Sequence, residues 1–326
     1  MVNSRKRSTS RDVAEQAGVS RTTVSFVLND VRHANISDDT RQRVRRAAAE
    51  LGYVPHAAAR ALAGGKSGTL GLLVRPLKML PVDAFLHQLL HSLMEVCLER
   101  GYRLLVETAS SSSPPETYVQ MVRAKQIDGL VVLGVYEEDP GLTALIESGY
   151  PVVLVGHHPS PESRMVSSAD EDGIARSTAH LIGLGHRRLA FIHYAPLGDL
   201  GEELRLRVFA RALERADILY LPGLVMGGDF SAASGYEAMR RILAAGQPPT
   251  ALVAGNDTIA IGAMAAIREA GYCIPGDIAV VGYDDIPTAR FAAPPLTTMR
   301  VPAHAMGRAC GEMAIAMIRG EPEAMR

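Results

Sequence analysis

Apolar residues recur at helical spacing in three short segments near the start of the chain. Val13, Ala14 and Ala17 give one face to a helix beginning at Thr9, and Val24, Val27 and Leu28 give one to Arg21–Leu28. A third segment starts at Ser37 and runs through Arg41, Arg43, Arg45 and Arg46 to Leu51-Gly52. The ends of these segments carry matching signals. Thr9-x-x-Asp12 is a capping-box-like start, Gly18 is a stop, and Ser20 is an N-cap for the second helix. Asp38 and Asp39 favour the positive end of the third. Arg21, Thr22 and Ser25 are left facing outward. Two helices joined by a glycine-containing turn make a helix-turn-helix, whose second helix enters the DNA major groove. From spacing alone, a small three-helix bundle with solvated charges is an equal reading.

From Thr69 onward, runs of strand-forming residues alternate with helical stretches. Strands are predicted at Thr69–Val74, Arg103–Thr108, Gly129–Leu133, Val152–Val155, Leu189–His193, Ala251–Ala254 and Ile278–Gly282. Helices are predicted at Ala84–Arg100, Gly173–Gly183, Leu204–Arg215, Ala232–Ala244, Thr258–Ala270 and Met306–Ile318. Such alternation means α/β architecture with parallel sheets, and the length allows two of them behind an all-α head. Ligands bind such folds at the carboxyl ends of the strands, here in a cleft between lobes.

The net charge of −1 over 326 residues hides two unlike regions. Residues 1–68 hold 12 Lys and Arg against 6 Asp and Glu, and the remaining residues hold 22 against 29. A basic head on an acidic body points to a polyanionic partner for the head. Arginine outnumbers lysine 30 to 4 throughout, so the asymmetry of sign carries this inference rather than arginine richness. No apolar run is long enough to span a membrane, and no secretory signal is expected behind the basic, polar start. Cys97, Cys273 and Cys310 are scattered and lack metal-ligand spacing, which suits reduced thiols in a cytoplasmic protein.

One resemblance covers nearly the whole chain. The head pattern Asp12-Val13-Ala14-x-x-Ala17-Gly18-Val19-Ser20-x-x-Thr23-Val24-Ser25-x-x-Leu28-Asn29 resembles the signature of the lactose-repressor (LacI) family of bacterial transcription regulators. The likeness continues through Ser37-x-x-Thr40-Arg41-x-x-Val44, Leu51-Gly52-Tyr53-Val54-Pro55 and Ala59-Arg60-x-Leu62. In the body it takes in Leu184-Gly185-His186-Arg187-Arg188, Asn256-Asp257-x-x-Ala260-x-Gly262 and Asp277-Ile278-Ala279-Val280-Val281-Gly282-Tyr283-Asp284-Asp285. Pro295-Leu296-Thr297-Thr298 and Met306-Gly307 complete it.

The resemblance implies a helix-turn-helix domain at 1–55, a hinge helix and linker at 56–68, and an effector-binding and dimerisation body at 69–326. The body would have the fold of periplasmic sugar-binding proteins, with lobes at 69–170 plus 297–326 and at 171–296. It further implies that Arg21, Thr22 and Phe26 meet base edges. Arg21 suits guanine O6/N7, Thr22 suits either a polar edge or a thymine methyl, and Phe26 replaces the usual arginine and cannot hydrogen-bond a base. Ser20, Thr23, Ser25 and Asn29 are expected at phosphates, with Thr9, Tyr53 and Ala59 completing the DNA-binding set. Leu62 is expected to wedge into the central minor-groove step from the hinge helix Pro55–Ala63, where His56 stands in place of the usual Asn.

The effector pocket implied by the resemblance comprises Arg205, Phe230, Asn256 and Asp284, a donor, acceptor and aromatic set suited to a sugar, polyol or nucleoside. Gly156 and Leu133 stand where relatives carry polar side chains, and Arg75 at the end of the first strand is the candidate replacement. Each loop residue is alternatively structural, Asp284 as a turn cap for example. The partners expected are operator DNA, a small effector and a second copy of the chain, with no cofactor, metal or membrane. No heptad repeat follows the terminal helix, so no coiled-coil tetramer is expected, and the end at 321–326 leaves out the closing strand of relatives.

Other motifs do not hold. Gly65-Lys66-Ser67 lacks the first glycine of a phosphate loop, since Arg60 stands there, and it follows a helix. His87 and His91 have zinc-protease spacing without the glutamate or a third ligand. The rival functions are a solute-binding transport component, which shares the body fold, and an enzyme, for which no catalytic constellation is evident.

Overall fold

Side-chain caps set the ends of the head helices, and a cluster of valines and alanines holds them together. In this computed structural model α1 (Ser10–Ala17) starts on a full capping box, with Asp12 N donating to Thr9 Oγ1 at 3.4 Å and Thr9 N donating to the Asp12 carboxylate at 2.7 Å. It ends at Gly18 in the left-handed conformation. Ser20 Oγ accepts Thr23 N at 3.1 Å at the start of α2 (Arg21–Leu28), and Ser37 Oγ accepts Thr40 N at 3.3 Å at the start of α3 (Asp38–Glu50). Val13, Ala14, Ala17, Val24, Val27, Val44, Ala47 and Ala48 form the buried core, with Leu28, Leu51 and Tyr53 half-buried against it. Each fully buried valine contributes roughly 1.5–3 kcal/mol.

The described residues are 8–28, 35–53, 66–75, 79–108, 116–136, 139–156, 158, 163–168, 170–194 and 200–321. The chain divides into two compact units, Met1–Thr69 with Arg123–Asp128, and Leu70–Val122 with Gly129–Arg326.

The body elements follow in the order β1 (Thr69–Val74), α4 (Ala84–Arg100), β2 (Arg103–Thr108), α5 (Glu116–Arg123), β3 (Gly129–Leu133), α6 (Pro140–Glu147), β4 (Val152–Val155) and β5 (Arg164–Val166). Then come α7 (Asp170–Gly183), β6 (Leu189–His193), α8 (Leu200–Arg215), β7 (Val225–Gly227), α9 (Ala232–Ala244), β8 (Ala251–Ala254), α10 (Asp257–Glu269), β9 (Ala279–Asp284), β10 (Thr297–Arg300) and α11 (Ala303–Arg319). They build two five-stranded sheets, ordered β2-β1-β3-β4-β5 and β10-β9-β8-β6-β7. The pairs β1–β3, β3–β4, β4–β5, β6–β7, β6–β8, β8–β9 and β9–β10 are all parallel. The central strands β1, β3, β4 and β8 are buried at every position, which is why they read as unbroken apolar runs, whereas edge strand β2 is largely exposed.

The first lobe is completed by the far end of the chain. α11 packs on α4, and Gly307 makes the close approach possible, since a Cβ there would lie 2.1 Å from Ser92 Oγ and 2.5 Å from Leu89 O. The return to this lobe comes later than the predicted Thr297. Thr297 pairs with Val281 and Arg300 with Asp284, so β10 belongs to the second sheet. Two helices start earlier than predicted, at Asp170 and Leu200, because the apolar periodicity begins only after their first turn. The predicted span Thr258–Ala270 shifts to Asp257–Glu269 under an Asn256 cap, and the predicted Met306–Ile318 extends to Ala303–Arg319. The predicted strand Ile278–Gly282 runs on to Asp284. Strands β5 and β7, three residues each, and the four-residue β10 were not predicted.

Candidate functional site

The carboxyl ends of strands from both sheets converge on a cleft of about 750 Å³, open solvent included. Its lining includes Arg75, Asp83, Phe85, Gly134 and Gly156 from the first lobe and Tyr194, Arg205, Phe230, Asn256 and Asp284 from the second. All five residues expected of an effector pocket are therefore brought together, along with Leu133 and Gly156, the two positions where polar groups were missing.

On the first-lobe wall Arg75 follows β1 directly, and its N–H donates to Leu133 O at 2.9 Å. Gly134 presses against it so closely that a Cβ would fall 1.9 Å from Arg75 O, at a φ of +81°. The Arg75 side chain is 8% exposed and donates through Nη1 to Asp139 Oδ2 at 2.6 Å. Asp139 caps α6 by accepting Leu142 N at 2.9 Å on Oδ1, which also receives the Tyr118 hydroxyl. Burial pushes the Tyr118 phenol well above its ordinary range, and its bond to Asp139 adds to the shift. Asp83, nearly fully buried, caps α4 by accepting Phe85 N at 3.0 Å. Burial raises its carboxyl to about 6; the amides of Phe85 and Leu86, then His87 and Arg205, pull it partly back.

The second-lobe wall is organised by turns after the strands. Arg205 on α8 donates through Nη1 to Gly255 O at 3.1 Å, and its guanidinium carbon lies 4.5 Å from the Tyr194 ring centre and 4.4 Å from that of Tyr283. Phe230 sits at φ +69° and Asp284 at φ +114°, backbone regions that side chains other than glycine rarely occupy. Asn256 holds Phe230 there: Nδ2 donates to Phe230 O at 3.3 Å while Oδ1 caps α10 by accepting Ile259 N at 2.7 Å. The amide expected to face a ligand is thus also a structural cap. Behind Asp284, the buried Asp257 accepts Thr298 Oγ1 at 2.5 Å and Ile286 N at 2.8 Å, and burial lifts its carboxyl to about 6.

In the head, Arg21, Thr22 and Phe26 are exposed on α2, with Phe26 39% exposed, so this ring is not turned into the core. The hydroxyls of Thr9, Ser20 and Thr23 take part in helix caps, Ser25 is half-buried, and Tyr53 packs on the head core. Asn29, Ala59 and Leu62, with the hinge segment Pro55–Ala63, lie outside the described residues. His87 and His91 go to different partners, Leu80 O at 3.0 Å and Glu95 at 3.6 Å.

Comparison with known proteins fits both parts of the chain. Residues 9–56 match the family described as bacterial regulatory proteins, lacI family, and residues 178–326 match the periplasmic binding protein-like domain. The HTH-type transcriptional repressor PurR of Haemophilus influenzae is 33% identical over 320 residues, 98% of this chain and 93% of that protein. The chain belongs to the LacI family. Another relative, the HTH-type transcriptional regulator CelR of Thermobifida fusca, is 35% identical over 321 residues, 97% of this chain and 94% of that one. Among solved structures, the lac repressor dimer bound to operator and the anti-inducer ONPF aligns with a TM-score of 0.81 at 31% identity. The CelR–cellobiose complex aligns at 0.71 and 33%, and each alignment covers 97% of this chain and 94% of the other.

As a LacI-family protein, the chain is a DNA-binding transcriptional regulator with a helix-turn-helix head and a periplasmic-binding-protein-like body. The head distinguishes it from transport components that share only the body fold. The expected set left out other lining residues, Asp83, Phe85 and Tyr194 among them. Asp83 was legible as an N-cap before a predicted helix, but Phe85 and Tyr194 carried no local signal and reach the cleft only through the tertiary fold.

Proposed function

We propose that this regulator is a repressor that acts in the cytoplasm as a homodimer on a near-palindromic operator, under the control of an effector of the sugar, polyol or nucleoside class bound in the cleft. The observation that carries the reading is the division of α2: Val24 and Val27 lock one face into the head core while Arg21, Thr22 and Phe26 stand outward together. Arg21 pairs with a guanine, Phe26 meets a thymine methyl, and Ser20, Thr23, Ser25 and Asn29 set the register on phosphates. Leu62 supplies the minor-groove wedge, with Thr9, Tyr53 and Ala59 beside the backbone.

Arg75, Arg205, Phe230, Asn256 and Asp284 hold the effector. The relatives include a repressor, PurR, and a regulator solved as a complex with cellobiose, CelR, which supports this class. The homodimer is supported by exposed apolar side chains on α4 and the adjoining edge strand β2, namely Met94, Leu98, Leu105 and Val106. The effector works only through its difference in affinity between the DNA-bound and released states, so its sign, release or retention, is read by titrating it into the operator complex.

The test is a binding-site selection with the full chain and with Arg21→Ala. Selection of a near-palindrome is expected, with one position per half-site relaxed in the variant by about 1–3 kcal/mol of discrimination. DNA retention should fall steeply with salt. Unchanged specificity in the variant removes Arg21 from base readout, and salt-independent retention removes the operator itself.

A further inference from the structure

Among the described residues, the first-lobe arginine of the cleft is anchored on one side only. Arg75 gives Nη1 to Asp139, whose other oxygen is held by the Tyr118 hydroxyl and the Leu142 amide, so the guanidinium is fixed in angle as well as position. The Tyr136 ring, 5.0 Å from the guanidinium carbon, bears on its face. Among the described residues, Nε and Nη2 have no hydrogen-bond partner, although both are shielded from solvent. These two atoms form the side-on edge of the guanidinium, the fork that meets two neighbouring acceptor atoms in parallel. Buried donors of this kind are seldom left unmatched, and their exceptions concentrate where function requires them.

The charge around the fork narrows the choice of acceptor. Asp139 already neutralises Arg75 from behind, and among the other described charged groups that line the cleft the carboxylates of Asp83 and Asp284 outnumber the one cation, Arg205, which faces from the opposite wall. A carboxylate or phosphate at the fork would meet a spent positive charge and neighbouring carboxylates. Two adjacent hydroxyl oxygens, or a carbonyl oxygen beside a ring nitrogen, satisfy both N–H groups without that repulsion. The hydroxyl or ring N–H protons of such a ligand then find acceptors in the carboxylates.

Resting on the effector reading above, we propose that Arg75 is a specificity-determining clamp, held by Asp139 and Tyr118, that reads two adjacent acceptor atoms of an uncharged effector. Arg75 thus supplies from the first lobe the polar contact that Leu133 and Gly156 lack. The clamp also selects against charged forms of the same ligand.

The experiment is a thermal-shift and calorimetric titration of the full chain. Cellobiose and guanine serve as uncharged probes, and cellobionate, glucose 6-phosphate and guanosine monophosphate serve as charged counterparts. Saturable binding of one uncharged probe is expected, with the saccharide and purine arms naming the source, and its charged counterpart should bind at least about tenfold more weakly. Arg75→Lys keeps the cation and its contact with Asp139 but removes the fork. It should bind the same probe about tenfold or more less tightly. Asp139→Asn should move the preference toward the charged probe, circular dichroism confirming that both variants fold.

A wild type that answers only to charged probes overturns the clamp and leaves the effector reading standing. So does an Arg75→Lys variant that melts lower but keeps its affinity, since the fork is then a purely structural group. No response to any probe, with DNA retention equally indifferent to them, takes down the clamp and the effector reading together.

Discussion

Each wall of the cleft carries one buried arginine, and the two are seated by different physics. Arg75, on the first-lobe wall, is held by a carboxylate that arrives from 64 residues further along the chain, with a helix cap and a tyrosine fixing that carboxylate in turn. Arg205, on the second-lobe wall, donates to a backbone carbonyl between two tyrosine faces, beside turns whose non-glycine residues sit at positive φ. The first arrangement is fixed by charge in a dry place and the second by backbone geometry at the ends of strands. A charge network of the first kind breaks sharply when one member is lost, because the other is left buried and uncompensated. A wall built on turns loosens by smaller steps, one cap at a time.

The largest effect is therefore expected from Asp139→Ala, which strands Arg75 in an environment where both partners are more than nine-tenths buried. Stability should fall by about 3–5 kcal/mol, read as a lower melting midpoint of the full chain. A loss no greater than that of an exposed pair would show that Arg75 finds another partner and that the contrast between the walls is false.

Asp83→Asn should act in the opposite direction. The folded carboxyl lies near 6 against an ordinary 3.8, so the folded state binds the proton more tightly than the unfolded chain. The cost of ionising it is fully present above about pH 6 and fades as pH falls toward 4. The variant, which keeps the cap, should gain about 1–3 kcal/mol at pH 7 and nothing near pH 4. A gain independent of pH would assign the effect to something other than the buried charge.

Asn256→Ala tests the second wall. Loss of the α10 cap and of the bond to Phe230 should cost about 1–2 kcal/mol, together with weaker effector binding as Phe230 leaves its position. An unchanged affinity would show that the strained Phe230 turn holds itself.

Much of this was legible from local signals. The capping box at Thr9 and Asp12, the stop at Gly18 and the unbroken apolar runs of β1, β3, β4 and β8 are short-range features that tertiary context did not override. The two three-residue edge strands escaped because Arg164–Val166 and Val225–Gly227 are too short to show a period. Arg205, Phe230, Asn256 and Asp284 were placed in one pocket through family likeness and Arg75 through its place at the end of the first strand, and the structure brings them to one cleft. Their working surroundings were not legible: nothing near Asp139 in sequence points to Arg75, and the cap and Phe230 bonds of Asn256 use the same atoms that the expected ligand role would need. Asp83 illustrates the limit. Its position before a helix announces a cap, but only the tertiary fold makes it part of a cleft.

The packing of α11 on α4 sets a constraint on how the protein is made. α4 leaves the ribosome early, with Leu89, Leu93 and Val96 on the face that α11 will cover, and α11 is encoded some 200 residues later. At synthesis rates of about 5–20 residues per second, that face waits roughly 10–40 seconds for its cover. The second lobe, contiguous from β6 to β10, can close while still attached. The order of folding during translation should thus run against the order of the sequence, with the later-made lobe finished first and the earlier one left to chaperones until the terminal helix arrives.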